Sequence, residues 1–214
     1  MSKLAIDGGS PVFGGKKAEE FVPSWPIPFP ETEPKLIEVF RSGKWGGCGP
    51  YEQELMMKFA VWQGSKYATW MVNGTVTLEC SLLALGIGPG DEVIVPGVSW
   101  IATAEAVVYV GATPVIVDID PETLCIDPAR IEEAITPRTR AIIPVHLFSA
   151  VSDMDKIMAI AEKHHLFVVE DCAQAIDSYY KGHPLGSIGH FAFPAISSAV
   201  IAEKHCRRYW FRGQ

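Results

Sequence analysis

Asp171 closes a short apolar run, Leu166-Phe167-Val168-Val169, and stands beside Glu170 with Cys172-Ala173-Gln174 following. A carboxylate there can hold a heteroaromatic nitrogen in its protonated form, or it can cap a following helix. Gln174, a turn further on, can donate to a ring oxygen or sit in solvent. Asn73-Gly74-Thr75-Val76 opens an apolar helical stretch carrying Leu78, Leu82 and Leu83. A Gly-Thr turn at a helix start offers unpaired N–H groups and a hydroxyl to a phosphate, or it is an ordinary cap. Trp100, five residues beyond the apolar Val93-Ile94-Val95, can stack on a flat ring or pack as a core tryptophan. His146, in Pro144-Val145-His146-Leu147-Phe148, can touch substrate or cofactor, although its position favours a satisfied structural histidine.

Those residues need a scaffold, and the chain alternates between two periods. The runs Val93–Val95, Pro114–Val117, Ala141–Val145 and Leu166–Val169 read as short strands. Between them Ile101–Val110, Pro128–Ala134 and Met154–His164 read as helices. Gly111 stops the first, Asp127 caps the second with Pro128 at its first position, and Asp153 caps the third. Apolar runs alternating with helices predict an α/β fold, a mostly parallel sheet buried on both faces by helices. Asp118, His146 and Asp171 then fall just past the carboxyl ends of strands, where open α/β sheets bind ligands. Upstream, Phe21–Pro34 reads as an extended arm offering Trp25 and Phe29. A helix follows, capped by Thr32 and stopped by Gly43, then a glycine-rich loop. A helix from about Pro50 is predicted to turn Leu55, Met56, Phe59 and Trp62 inward.

Composition narrows the function classes. The 214 residues carry a formal net charge of -7, which disfavours nucleic acid or an anionic membrane as partner. No apolar run is long enough to span a bilayer, and the opening residues lack the core of a signal peptide. The five cysteines are scattered and form no CxxC, as in reduced cytosolic proteins, so the cytoplasm is the expected location. No HExxH, P-loop GKT, GxSxG or G-x-G-x-x-G is present, His164-His165 reads as a helix end, and no metal site is predicted.

The ordered motifs resemble one family. Asn73-Gly74-Thr75, then Gly88-Pro89-Gly90-Asp91-Glu92-Val93-Ile94-Val95-Pro96, then Ser99-Trp100-Ile101-Ala102-Thr103-Ala104 look like the DegT/DnrJ/EryC1/StrS aminotransferases. The likeness continues through Val117-Asp118-Ile119-Asp120, Ile143-Pro144-Val145-His146 and Val169-Glu170-Asp171-Cys172-Ala173-Gln174, and ends near Gly186-Ser187-Ile188-Gly189. The resemblance implies fold type I of the PLP-dependent transferases, with pyridoxal 5'-phosphate as cofactor and a homodimeric assembly. It implies transfer of an amino group from glutamine or glutamate to a keto-sugar or keto-cyclitol, nearest in look to the glutamine:scyllo-inosose group. By position, Gly74, Thr75 and Val76 would hold the phosphate and Trp100 would stack on the pyridine. Asp171 would pair with the ring nitrogen and Gln174 with the ring oxygen.

The pattern then breaks. The family places its Schiff-base lysine some thirty residues after the aspartate, which falls near Val200, and no lysine stands there. Lys181, Lys204 and His205 do not match the motif. Ser149 and Asp177 occupy places where the family usually has glycine, which is expected to force those turns out of shape. The expected organisation is therefore an arm, helix and loop over 1–50, a truncated PLP-binding large domain over 51–193, and an aberrant tail over 194–214, with the C-terminal small domain missing. The expected product is an inactive chain without a catalytic lysine. The alternative is a non-catalytic module binding PLP or a sugar phosphate beside a full-length homologue.

Overall fold

The computed structural model describes residues 3–11, 14, 16–17, 20, 29–46, 49–194 and 199–202. The chain divides into two compact units, Met1–Gly49 and Pro50–Gln214. In the first unit, helix α1 spans Thr32–Ser42. Its N-cap is Glu31 rather than Thr32, which is already helical, and Gly43 ends it in the left-handed region at φ 66°. Phe29 is exposed, and Trp25 lies outside the described residues.

The second unit is an α/β layer structure. In chain order it comprises α2 (Pro50–Gln63), β1 (Tyr67–Trp70), α3 (Gly74–Ala84), β2 (Glu92–Pro96), α4 (Ala102–Tyr109), β3 (Thr113–Val117), α5 (Pro128–Glu133) and β4 (Thr139–Ile142). Then follow α6 (Met154–His164), β5 (Phe167–Cys172), the small hairpin β6 (Tyr179–Tyr180) and β7 (His183–Pro184), β8 (Phe191–Pro194) and β9 (Ala199–Ala202). The main sheet has seven strands in the order β1-β9-β8-β5-β4-β2-β3. From β8 to β3 every neighbouring pair is parallel, whereas β9 runs antiparallel to both β8 and β1. The tail that the sequence sets apart thus contributes a strand, with Val200 in register with Thr69.

Helix starts are local events and follow their capping side chains. Asn73, Asp127 and Asp153 each accept a backbone N–H from the first turn of α3, α5 and α6, at 2.9, 2.9 and 3.3 Å. The period-2 alternation of the strands sorts the core into two faces. Val93 and Val95 of β2, Ile143 and Val169 pack with Leu78, Leu82, Ala106 and Val107 from α3 and α4. Ile94, Ile142 and Val168 pack on the other face with Ile131, Met154 and Ile157 from α5 and α6.

Other expectations differ from the fold. β3 is the end strand of the described sheet, and Ile116 is exposed on it although its run reads as a buried strand. α2 buries Phe59, Ala60 and Gln63, while Leu55 and Trp62 are exposed, so the inward stripe is rotated from the one predicted. Glu170 and Asp171 lie inside β5, not beyond it, and His146 lies four residues beyond β4.

Candidate functional site

Connectivity collects the candidate residues along one edge of the sheet. α4 follows the carboxyl end of β2 and the Cys172–Ala175 turn follows that of β5. β1 is antiparallel to β9, which is antiparallel to β8, so β1 points the same way as β5 and α3 also begins at the carboxyl edge. Gly74, Thr75, Val76, Trp100, Asp171 and Gln174 therefore share that edge.

The start of α3 has its first-turn N–H groups directed outward. Val76 N–H is taken by the Asn73 side chain, and Thr77 N–H and hydroxyl both donate to the Asn73 carbonyl. Gly74 and Thr75 keep backbone amides without an intrahelical partner and are half-buried. Trp100 is 72% exposed, ahead of α4, and its carbonyl accepts Thr103 N–H at 3.1 Å. Its indole face is available to stack rather than consumed by the core.

Asp171 shares the face of β5 that carries Val169, because side chains alternate along a strand. It is only 5% exposed. Oδ1 accepts Ala173 N–H at 3.1 Å and Oδ2 accepts the Thr103 hydroxyl at 3.2 Å. Burial pushes its carboxyl above the usual range, while the Ala173 amide and the Thr103 hydroxyl pull it back. Among the described residues no lysine or arginine forms an ion pair with it. A buried carboxylate with one donor on each oxygen and no cation suits a ring N–H⁺, so the residues present fit a pyridinium. Gln174 is half-buried, and its Oε1 accepts Phe148 N–H at 3.2 Å, which turns its amide nitrogen away from that contact.

His146 is fully buried with both ring nitrogens engaged. Nδ1 accepts Ser152 N–H at 3.2 Å, so Nε2 carries the proton and faces Glu170 Oε2 at 3.4 Å. Glu170 also lies at 0% exposure and gathers the N–H groups of Gly186, Ile188 and Gly189 at 2.9, 2.8 and 2.5 Å. Sequence reasoning passed over this residue, and the spacing of Gly186 and Gly189 was its only signal. A Cβ on Gly189 would stand 3.0 Å from the Val168 carbonyl oxygen, and one on Gly186, already at φ +88°, 3.0 Å from the Ala192 Cβ. With Cys172, His146 and Glu170 put three ligand-type atoms within 4.8 Å of one another. Their hydrogen bonds already satisfy the histidine and the carboxylate, and burial together with Glu170 and Asp171 holds the Cys172 thiol well above its ordinary value. The group reads as an internal polar cluster rather than a metal centre.

The glycine-position departures leave a trace. Ser149 and Asp177 adopt φ +66° and +55°, and Phe148 beside Ser149 adopts +50°. The turns keep a left-handed shape that glycine takes without strain, and are not forced into another one. The described lysines of this unit are exposed and engaged elsewhere: Lys58 with Glu54, Lys66 over the Tyr67 ring, Lys156 with Asp153, Lys163 with Glu132 and Lys181 with Asp155. Lys204 and His205 lie outside the described residues. No helix among the described residues is long and apolar enough to cross a membrane.

Comparison with known proteins bears on this edge. Residues 30–197 match the model of the DegT/DnrJ/EryC1/StrS aminotransferase family. The L-glutamine:2-deoxy-scyllo-inosose aminotransferase of Micromonospora echinospora is 45% identical over 197 residues, covering 89% of this chain and 46% of that protein. Among solved structures, an aminotransferase from Psychrobacter cryohalolentis is 38% identical with a TM-score of 0.79, over 86% of this chain and 49% of that one. NtdA from Bacillus subtilis with bound cofactor PMP is 36% identical with a TM-score of 0.74, over 81% and 41%. The chain spans about half the length of the relatives it matches. The family and its cofactor-bound members indicate pyridoxal phosphate as the cofactor.

Proposed function

We propose a function from one premise: the chain belongs to the DegT/DnrJ/EryC1/StrS aminotransferase family. Its edge site is the cofactor half of an enzyme that moves an amino group from glutamine or glutamate to a keto-cyclitol or keto-sugar. The observation that carries this reading is Asp171, a buried carboxylate at the carboxyl edge of the sheet with no lysine or arginine partner among the described residues. The 2-deoxy-scyllo-inosose aminotransferase relative supports a cyclitol ketone as the acceptor.

Each residue then has a task. The free amides of Gly74 and Thr75 and the start of α3 hold the phosphate, with Val76 fixed by Asn73. Trp100 covers one ring face. Asp171 accepts the pyridine N–H⁺ and keeps that proton in place, while the Gln174 amide nitrogen donates to the ring oxygen. When bound, the cofactor supplies an electron sink for charge developing on the substrate carbon. His146 has no exposed surface and serves by orienting Glu170, not by touching substrate. The assembly that works is a homodimer, and the compartment is the cytoplasm.

The family's proton-moving lysine has no counterpart at the expected spacing, where Val200 lies in β9. The chain as given therefore binds the cofactor without covalent capture and does not turn over. Titration with pyridoxamine phosphate, which needs no lysine to bind, tests this. Saturable binding that falls at least tenfold in Asp171→Ala and Trp100→Ala, with no glutamine-dependent amination of 2-deoxy-scyllo-inosose, is the expected result. Absence of binding would refute the cofactor site, and steady turnover would refute the inactive reading. If binding holds without turnover, activity that rises when a full-length homologue is added would favour a partner module.

A further inference from the structure

Thr103, the second residue of α4, is 2% exposed and makes two hydrogen bonds that meet at the site. Its backbone N–H donates to the Trp100 carbonyl at 3.1 Å, and its hydroxyl donates to Asp171 Oδ2 at 3.2 Å. The same hydroxyl oxygen lies 2.8 Å from Ser99 Oγ. A threonine hydroxyl has one proton. Because Thr103 gives its proton to the carboxylate, Ser99 must be the donor in the shorter contact. The direction of the chain is thereby set: Ser99 to Thr103 to Asp171.

We propose that Thr103, aimed by Ser99, is a positioning residue that locks the Asp171 carboxylate and the Trp100 turn into one unit, so that the face and the nitrogen of a bound pyridine are registered together. This rests on the cofactor reading above. The turn that carries Trp100 and the strand that carries Asp171 are separated by 71 positions in sequence, and Thr103 bonds both. Loss of its hydroxyl would free one carboxylate oxygen inside a desolvated pocket. The side chain would then rotate about the Ala173 contact.

The same hydroxyl stabilises the ionised form, so its loss must also move the acid. The groups around Asp171 are few. His146, in the segment after β4, turns its ring to Glu170 and Ser152, Glu170 and Cys172 point to the opposite face of β5, and α4 presents Thr103 without a charge. Among the described residues only the Ala173 amide would remain as a donor to the carboxylate.

The test uses Thr103→Val, close in shape and without a proton, and Thr103→Ser, which restores the hydroxyl. Carbon NMR of the Asp171 carboxyl in the full, ligand-free chain should show the valine variant titrating at a pH higher by about one unit, a tenfold change in acidity. Pyridoxamine phosphate affinity at neutral pH should fall about tenfold in the same variant, and serine should restore both. Ser99→Ala, which leaves the Thr103 methyl packed, should move each reading part of the way in the same direction. A folded valine variant, or Ser99→Ala should valine not fold, that titrates and binds as the parent does would overturn the proposal. If the parent binds no pyridoxamine phosphate, the cofactor reading fails, while the carboxyl titration still decides the role of Thr103.

Discussion

Glu170 and Asp171 are adjacent on β5, yet their carboxylates go to opposite faces of the sheet and meet opposite surroundings. Glu170 is closed in by the amides of Gly186, Ile188 and Gly189 and by the His146 ring. Asp171 is also buried, but among the described residues it receives only one amide and one hydroxyl. The first is saturated and structural. The second is buried with fewer donors, which is what the proposed cofactor site asks of it.

The saturated member should be intolerant of change. Glu170→Gln removes the charge that the amides solvate and sets an NH2 group against donors. We expect a loss of about 3 kcal/mol, from the value of charged hydrogen bonds and the cost of unpaired buried donors. Urea unfolding checks it through a lower midpoint at unchanged slope.

The poised member should behave in the reverse sense. Because the folded state raises the Asp171 carboxyl, its ionisation opposes folding. That penalty is absent below the ordinary aspartate value of about 3.9, grows as pH rises from there through the raised value, and is complete above it. Asp171→Asn should flatten that loss and give a melting temperature at neutral pH no lower than the parent's. It should also bind pyridoxamine phosphate at least tenfold more weakly. Thermal melts across pH with and without the ligand separate the two effects.

Glu92 shifts the other way. The Thr136 hydroxyl and then the Arg138 guanidinium hold its carboxyl below the usual range. This stabilisation is present above the ordinary glutamate value of about 4.3 and is lost as pH falls through the lowered one. Glu92→Gln should therefore narrow the stability difference between neutral and acidic solution, read as urea midpoints at each pH.

The left-handed turns offer a gain. Ser149 and Asp177 hold φ values that disfavour side chains by roughly 1–2 kcal/mol, offset in part by the extra chain freedom of glycine. Ser149→Gly and Asp177→Gly should each raise stability by about 0.5–1 kcal/mol. Chemical unfolding of the two single variants and the double gives the increments and their additivity.

Cys172 should resist alkylation in the folded chain, because burial and its two acidic neighbours keep it a thiol. Peptide mapping after iodoacetamide should find it unmodified until denaturant is added. Modification at native conditions would contradict its placement.

Much of this was readable because it is local. Asp127 and Asp153 cap helices through contacts two or three residues ahead, and Val93–Val95 announces a central strand by composition. What depends on neighbours was not readable. Thr113–Val117 has the apolar character of a covered strand, and only the strand order makes it an edge. In α2 the inward stripe is set by whatever the helix meets, so Phe59 was found and Gln63 was missed. Asp171 stood out by its position at a strand end. Thr103 and Glu170 did not, because their roles are defined by partners 68 residues away and in a loop up to 19 residues downstream.

The antiparallel strand β9 has a consequence for synthesis. Among the described residues β1 pairs with β9 alone, so the backbone groups of Tyr67–Trp70 wait for Ala199–Ala202, some 130 residues later on the ribosome. Throughout that interval β1 presents a bare edge, while β2, β4 and β3 can already pair. The nascent chain is therefore most open to wrong strand pairing at β1, whose partner is a distant segment of the kind that pairs slowly.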